Sequence, residues 1–77
     1  PPIGDWVRRN LDGLRAAWLA PDLMREAGVF STTGVDRLVE EHRQRRRDRG
    51  NELWAIAVFH AWWAQDRQRR RQLREAA

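Results

Sequence analysis

The twelve residues from Leu53 to Ala64 are apolar except for His60, and they constrain the fold more than any other part of the sequence. A membrane span needs about 20 such residues, so this segment is too short to be one. A helix that is apolar on every side is buried on every side. The sequence therefore predicts a helix that lies against other surfaces all round. The residues expected at its packing surfaces and interfaces are Trp54, Ile56, Val58, Phe59, Trp62 and Trp63.

The chain is too short to cover this helix by itself. It has 77 residues, and a domain of this size buries only about 60% of the surface that its unfolded chain exposes. Tryptophan enlarges the uncovered surface, because each indole buries on the order of 150–250 Å² when packed. Since large exposed apolar patches mark contact sites, we expect the isolated chain to self-associate or to lie against a larger body. The five tryptophans are Trp6, Trp18, Trp54, Trp62 and Trp63.

Helical spacing of apolar residues predicts an all-α fold, a small bundle of three to four helices in a single domain. In the first helix, Val7, Leu11, Leu14 and Trp18 form one stripe at intervals of four, three and four. No segment alternates with period two for long enough to be a strand. The helices are predicted over residues 1–20, 22–28, 31–47 and 51–75 of the domain 1–77, with a polar tail over 66–77.

Residues with the chemistry of helix ends separate these segments. Asp22 and Ser31 have side chains that accept hydrogen bonds from free amides at a helix N-terminus, so both are predicted N-caps. Gly28 is a natural left-handed stop for the short helix. Gly13 weakens the middle of the first helix by about 1 kcal/mol relative to alanine, which favours a bend or break near Asn10.

All 15 basic residues are arginine, and the net charge is +4. Most of the excess lies in two tracts, Arg43 to Arg49 and Arg67 to Arg74. Such tracts invite a nucleic-acid interpretation, but no aromatic residues alternate with them as base stacking would require. We therefore favour solvated helical faces over a nucleic-acid partner, and we expect no membrane partner.

The chain has little material for catalysis. It has no cysteine, and Ser31 is explained by its capping position. His42 and His60 are eighteen residues apart and form no metal-ligand pair, so each is predicted to be a packed imidazole bonded to a neighbour. The glycines form neither a dinucleotide nor a phosphate-binding loop. We predict no catalytic, cofactor-binding or metal residue in this chain.

The order of five short motifs is more specific than any one of them. They are Pro2 to Arg8, Gly28 to Ser31, Leu38 to His42, Arg46 to Asp48 and Leu53 to Trp63. In this order they resemble the C-terminal part of the synthetase domain of glutamine-hydrolysing asparagine synthetases, in the asparagine synthase family. The resemblance covers residues 2–64, with Ser31 where the family usually has aspartate.

The resemblance implies that the chain is a C-terminal helical segment of a larger α/β synthetase domain of the adenine nucleotide α-hydrolase-like (PP-loop) fold. Such a parent enzyme uses ATP and magnesium to adenylate aspartate, and ammonia from glutamine then displaces AMP. The nucleotide loop, the lysine and the glutaminase cysteine of the family are missing here, so no catalytic residue carries over. The implied partner is the remainder of the synthetase domain, and the implied role is a structural cap.

Several alternatives stay open at this stage. The parent could resemble β-lactam synthetases or lasso-peptide cyclases, which share the synthetase domain. The chain could instead be an arginine-rich nucleic-acid-binding module, or an adaptor whose apolar helix docks in a groove of another protein. Because neither a secretory leader nor a membrane span is recognisable, we expect a cytoplasmic location.

Overall fold

The computed structural model describes residues 3–76, so predictions that fall on Pro1, Pro2 and Ala77 lie outside it. Within this range the chain is all-helical and contains no strand, which confirms the predicted all-α class. It forms five helices rather than three to four. They are α1 (Ile3–Arg9), α2 (Leu11–Ala16), α3 (Pro21–Ala27), α4 (Thr32–Arg43) and α5 (Gly50–Ala76).

The extra helix arises because the single helix predicted over 1–20 breaks at Asn10. The Asn10 side-chain amide donates a hydrogen bond to the carbonyl of Trp6 at 2.8 Å. Its backbone amide donates to the carbonyls of Trp6 and Val7, both at 3.1 Å. The backbone-amide hydrogen bond to Trp6 has helical spacing and the one to Val7 the spacing of a tighter turn, while the side-chain bond is of the local kind that asparagine readily makes. The carbonyl groups at the end of α1 are thus satisfied, and the chain starts a new helix at Leu11.

Helix α3 begins one residue earlier than predicted, and Asp22 is not its cap. Pro21 occupies the first helical turn, after Ala20 in an extended conformation with φ −69° and ψ 134°. Proline suits this position because its fixed φ is already helical and its missing N–H would have no partner there. Asp22 lies in the first turn and pairs with Arg25. At the other end Gly28 adopts φ 70° and donates to the carbonyl of Met24, as predicted.

Helix α4 has the predicted start and an earlier end. The Ser31 hydroxyl accepts a hydrogen bond from the Gly34 amide at 3.1 Å, which confirms it as the N-cap. The helix ends at Arg43, four residues before the predicted limit, because Arg45 takes a left-handed conformation with φ 59°. The Arg46 amide bonds to the carbonyl of Glu41 at 3.0 Å. This bond, together with one from the Arg45 amide to the His42 carbonyl at 3.2 Å, forms a Schellman motif.

Arginine at this left-handed position leads to a stability prediction. An L-residue with a Cβ pays about 1–2 kcal/mol for this conformation, and glycine does not. Part of this gain in stability is lost, because glycine gives the unfolded chain more conformational freedom. We expect Arg45→Gly to raise the free energy of unfolding by about 0.5–1 kcal/mol, measured by urea denaturation. An Arg46→Gly control, one residue outside the left-handed position, should give no such gain; equal stabilisation by both would contradict the assignment.

Helix α5 is the longest helix, and the rest of the bundle packs against it. It has 27 residues, begins one residue before the predicted start and continues through the predicted polar tail to Ala76, which gives the molecule its long dimension of 50 Å. The other four helices pack along its first half. No helix among residues 3–76 is long and apolar enough to cross a membrane. The buried core consists of Val7, Leu11, Leu14, Leu19, Met24, Val35, Val39, Leu53, Ile56 and Ala57.

Candidate interaction surface

Helices α1 and α5 cross at two glycines. A Cβ built on Gly50 would lie 2.5 Å from Cα of Gly4 and 2.9 Å from its amide nitrogen. A Cβ on Gly4 would lie 2.6 Å from a carboxylate oxygen of Asp48. That carboxylate accepts a hydrogen bond from the Gly50 amide at 2.9 Å. The two helix N-termini therefore approach more closely than any side chain would allow.

Hydrogen bonds of His42 connect this helix crossing to α4. Its ring is fully buried, and Nε2 lies 2.7 Å from the carbonyl oxygen of Gly4. The Arg49 amide donates to Nδ1 at 3.0 Å. A carbonyl accepts and an amide donates, so the ring carries its proton on Nε2 and presents Nδ1 as an acceptor. The prediction of a packed imidazole bonded to neighbours is confirmed, and its bonds tie α1, α4 and the α4–α5 loop together.

Three of the sequence motifs thus meet at one structural point, next to Gly50. Gly4, His42 and the segment 48–50 come from three separate stretches of the chain, and each of the other two lies against Gly4. The Arg8 Nε atom adds a hydrogen bond to the His42 carbonyl at 3.1 Å. In these contacts the polar atoms of the residues form hydrogen bonds with one another. We therefore interpret the residues as structural.

Four of the five indoles are at least 37% exposed. We call the set Trp6, Trp18, Trp54, Val58 and Trp62 the aromatic face. Trp6 packs edge-on against Trp54, with ring centroids 5.3 Å apart and an interplanar angle of 84°. Trp6 is 37% exposed, Trp54 40% and Trp62 58%. Between these rings Trp6, Trp18, Trp54 and Val58 line a small cleft of about 210 Å³.

The residues predicted for packing and interfaces separate into three groups. Trp54, Val58 and Trp62 lie on the aromatic face, four residues apart along one side of α5. Ile56 is 7% exposed and belongs to the chain's own core. Phe59 and Trp63 are half-buried: the first packs against the ring of Phe30 at 5.7 Å, and the second lies 4.8 Å from the Arg67 guanidinium carbon.

Sequence reasoning missed two members of the aromatic face. Trp18 was placed on the packed stripe of a continuous first helix, but α2 ends at Ala16. Trp18 therefore lies in a turn and is 38% exposed, while its neighbour Leu19 takes the buried position. Trp6 falls outside the stripe of Val7 and Leu11, and that spacing was the signal available for its exposure.

A groove of about 670 Å³ runs between α4 and α5. Its floor is apolar, formed by residues that include Phe30, Val35, Leu38 and Ile56. At one end Arg49 lies between Glu41 and Glu52, with its Nη1 atom 3.0 Å from a Glu52 oxygen. The hydrogen bond from Arg49 lowers the pKa of the Glu52 carboxyl group. The charges of Arg49, Glu41 and Glu52 are thus paired with one another at this end of the groove.

His60 is the second buried imidazole, and it differs from His42 in its bonding. Its Nδ1 atom lies 2.9 Å from the carbonyl of Ile56, one turn earlier in α5. Its Nε2 atom is buried without a hydrogen-bond partner among the described residues. The rings of Phe30 and Phe59 lie 5.7 and 5.2 Å away. Burial in these apolar surroundings lowers the pKa of His60.

This lowered pKa gives stability a dependence on pH. A base whose pKa is lower in the folded state binds protons less readily there than in the unfolded chain. The neutral His60 ring therefore makes its full contribution to the free energy of unfolding above the unfolded-state pKa of about 6.5. This contribution is lost as the pH falls below that value. We expect the unfolding free energy to fall less between pH 7.5 and 5 in His60→Leu than in the wild type. Urea denaturation at both pH values measures this, and identical losses in the two proteins would contradict it.

Among residues 3–76 no group of three or more histidine, cysteine or acidic side chains is placed to hold a metal ion. The described residues form an all-helical bundle with an exposed aromatic face. This class of structure has the features of a domain that packs against another surface. The chain belongs to the asparagine synthase family, since the model of that family, described as asparagine synthase, matches residues 1–64. Comparison with curated proteins and with solved structures found no match.

Proposed function

We propose that this chain is the C-terminal helical part of the synthetase domain of a glutamine-hydrolysing asparagine synthetase. In this role it is a structural cap that packs on the remainder of the domain. Family membership, matched over residues 1–64, supports the proposal. The buried His42 ring uses both of its nitrogen atoms at the helix crossing, as expected of a structural cap.

The observation that carries the proposal is the aromatic face. Its four indoles are between 37% and 58% exposed, which leaves on the order of 400 Å² of aromatic surface uncovered. The largest apolar patch of a monomer is about 300–600 Å² and is often functional, so this face is the candidate contact site. In the parent enzyme this face lies against the rest of the synthetase domain, and in the isolated chain it drives self-association.

The chemistry of the parent follows from the family. An asparagine synthetase activates a carboxylate with ATP and magnesium in a PP-loop domain and transfers an amide nitrogen to it, in the cytoplasm. The chain itself holds neither ATP nor magnesium in this proposal. The alternative is a β-lactam synthetase or lasso-peptide cyclase parent, because these enzymes share the synthetase domain that this chain resembles.

The experiment is reconstitution from two pieces. The chain is mixed with the synthetase domain of an asparagine synthetase that lacks its matching C-terminal segment. Pyrophosphate release from ATP and aspartate is then followed. We expect binding and recovery of pyrophosphate release, and neither with the double variant Trp54→Ser/Trp62→Ser. Pyrophosphate release by the 77-residue chain alone, or full recovery with the double variant, would contradict the proposal.

A further inference from the structure

The last ten described residues of α5, 67–76, form a basic arm that the core does not use. Every residue from Gln68 to Ala76 is exposed. The Arg67 side chain pairs with Glu26 on α3 and lies over the ring of Trp63, so it fixes the base of the arm on the bundle. The family match ends at Ala64, before the arm begins. At 1.5 Å per residue the arm extends about 15 Å.

The helix gathers the arginines of the arm on one side. Arg67, Arg70, Arg71 and Arg74 have the spacing of one helical face, at intervals of three, one and three. Three of them line a shallow cleft together with Trp63 and Asp66. The linear sequence shows a run of arginines, and it takes the helix to show that four of them share a face. Arg70 pairs with Asp66 at 3.0 Å, whereas Arg71 and Arg74 have no ion pair with the described residues. Guanidinium groups bind phosphate through two parallel hydrogen bonds, so this face fits a phosphate-rich partner that replaces the Asp66 contact.

Two features of the arm favour duplex nucleic acid over a membrane surface. A helix that lies on a membrane needs a broad apolar face opposite its basic one, and here Leu73 is the one large apolar residue between Gln68 and Ala76. The arm also projects clear of the bundle, and an α-helix of about 10–12 Å diameter fits the B-DNA major groove, which is about 12 Å wide. We propose that the basic arm binds the phosphate backbone of duplex DNA along its major groove.

The second arginine tract gives a matched control. Arg45, Arg46 and Arg47 are exposed in the α4–α5 loop, at the opposite end of α5 and about 39 Å from Ala76 along the helix. Replacing these three with glutamine changes the net charge from +4 to +1, as does the triple variant Arg70→Gln/Arg71→Gln/Arg74→Gln. The two variants therefore differ in where the charge is lost and not in how much is lost.

The test measures fluorescence anisotropy of a labelled 20-base-pair DNA duplex at 50 and 200 mM salt. We expect the chain to bind with an affinity that falls with salt. The arm variant should lose on the order of ten-fold in affinity and about 2.7 in the slope of log K against log salt. The loop variant should lose less than three-fold.

Several results would overturn the proposal. Equal losses of DNA affinity in the two variants would show that binding depends on net charge and not on the arm. Displacement of the DNA by polyglutamate at equal charge concentration would point to an acidic protein surface, and equal binding to anionic phospholipid vesicles would point to a membrane. Tighter binding of the matching RNA duplex would exclude entry into the groove, because the A-form major groove is too narrow. None of these results depends on whether the aromatic face covers a synthetase domain.

Discussion

Gly50→Ala is expected to destabilise the chain by about 3 kcal/mol. The added methyl group would lie 2.5 Å from Cα of Gly4 and 3.1 Å from an Asp48 carboxylate oxygen. The atom it meets most closely is backbone, which cannot move aside by changing a rotamer, so α1 and α5 must separate. Overpacking of this kind costs about 1–3 kcal/mol and sometimes more. Urea denaturation followed by circular dichroism measures the loss.

The matched control is Gly13→Ala in α2. No atom outside its local surroundings lies within 4 Å of a Cβ built there, so the change tests helix propensity without packing. Alanine in place of glycine inside a helix stabilises it by about 1 kcal/mol. The two substitutions add the same methyl group and should shift stability in opposite directions. A Gly50→Ala protein as stable as the wild type would contradict the close helix crossing.

His42→Leu is expected to cost about 3–5 kcal/mol. Leucine removes both hydrogen bonds of the ring and leaves the Gly4 carbonyl and the Arg49 amide without the partners they have now. A polar group orphaned by loss of its partner costs about 1–3 kcal/mol. The loss should appear as a lower midpoint in thermal unfolding, with α1 the first helix to lose hydrogen-exchange protection.

The comparison variant is His60→Leu at pH 7.5. His60 is as deeply buried as His42, but its Nε2 atom has no partner among the described residues, so leucine removes a buried polar atom along with one hydrogen bond. Its expected cost is below about 1 kcal/mol. Equal destabilisation by the two substitutions would show that burial of the ring, and not its bonding to α1, sets the cost.

The sequence predicted those parts of the fold that depend on local chemistry. Ser31 and Gly28 end helices in the way their side chains dictate. The all-α class followed from apolar spacing. The break at Asn10 was placed correctly as a weak point, but apolar spacing alone does not decide whether the helix bends or ends there.

The sequence could not predict features that depend on contacts across the fold. Arg45 is in a left-handed conformation because the α4–α5 loop must deliver Gly50 to Gly4, and arginine itself carries no signal for it. Trp18 does not lie on the predicted helical stripe, because α2 ends at Ala16.

The aromatic face as a covered surface is the central claim, and sedimentation equilibrium of the chain over a tenfold range of concentration tests it most directly. We predict an average mass that rises with concentration above the monomer value of 9.2 kDa. The double variant Trp54→Ser/Trp62→Ser should stay at that value throughout. A wild-type chain that remains at 9.2 kDa over the whole range, with its indoles freely quenched by iodide, would contradict the claim.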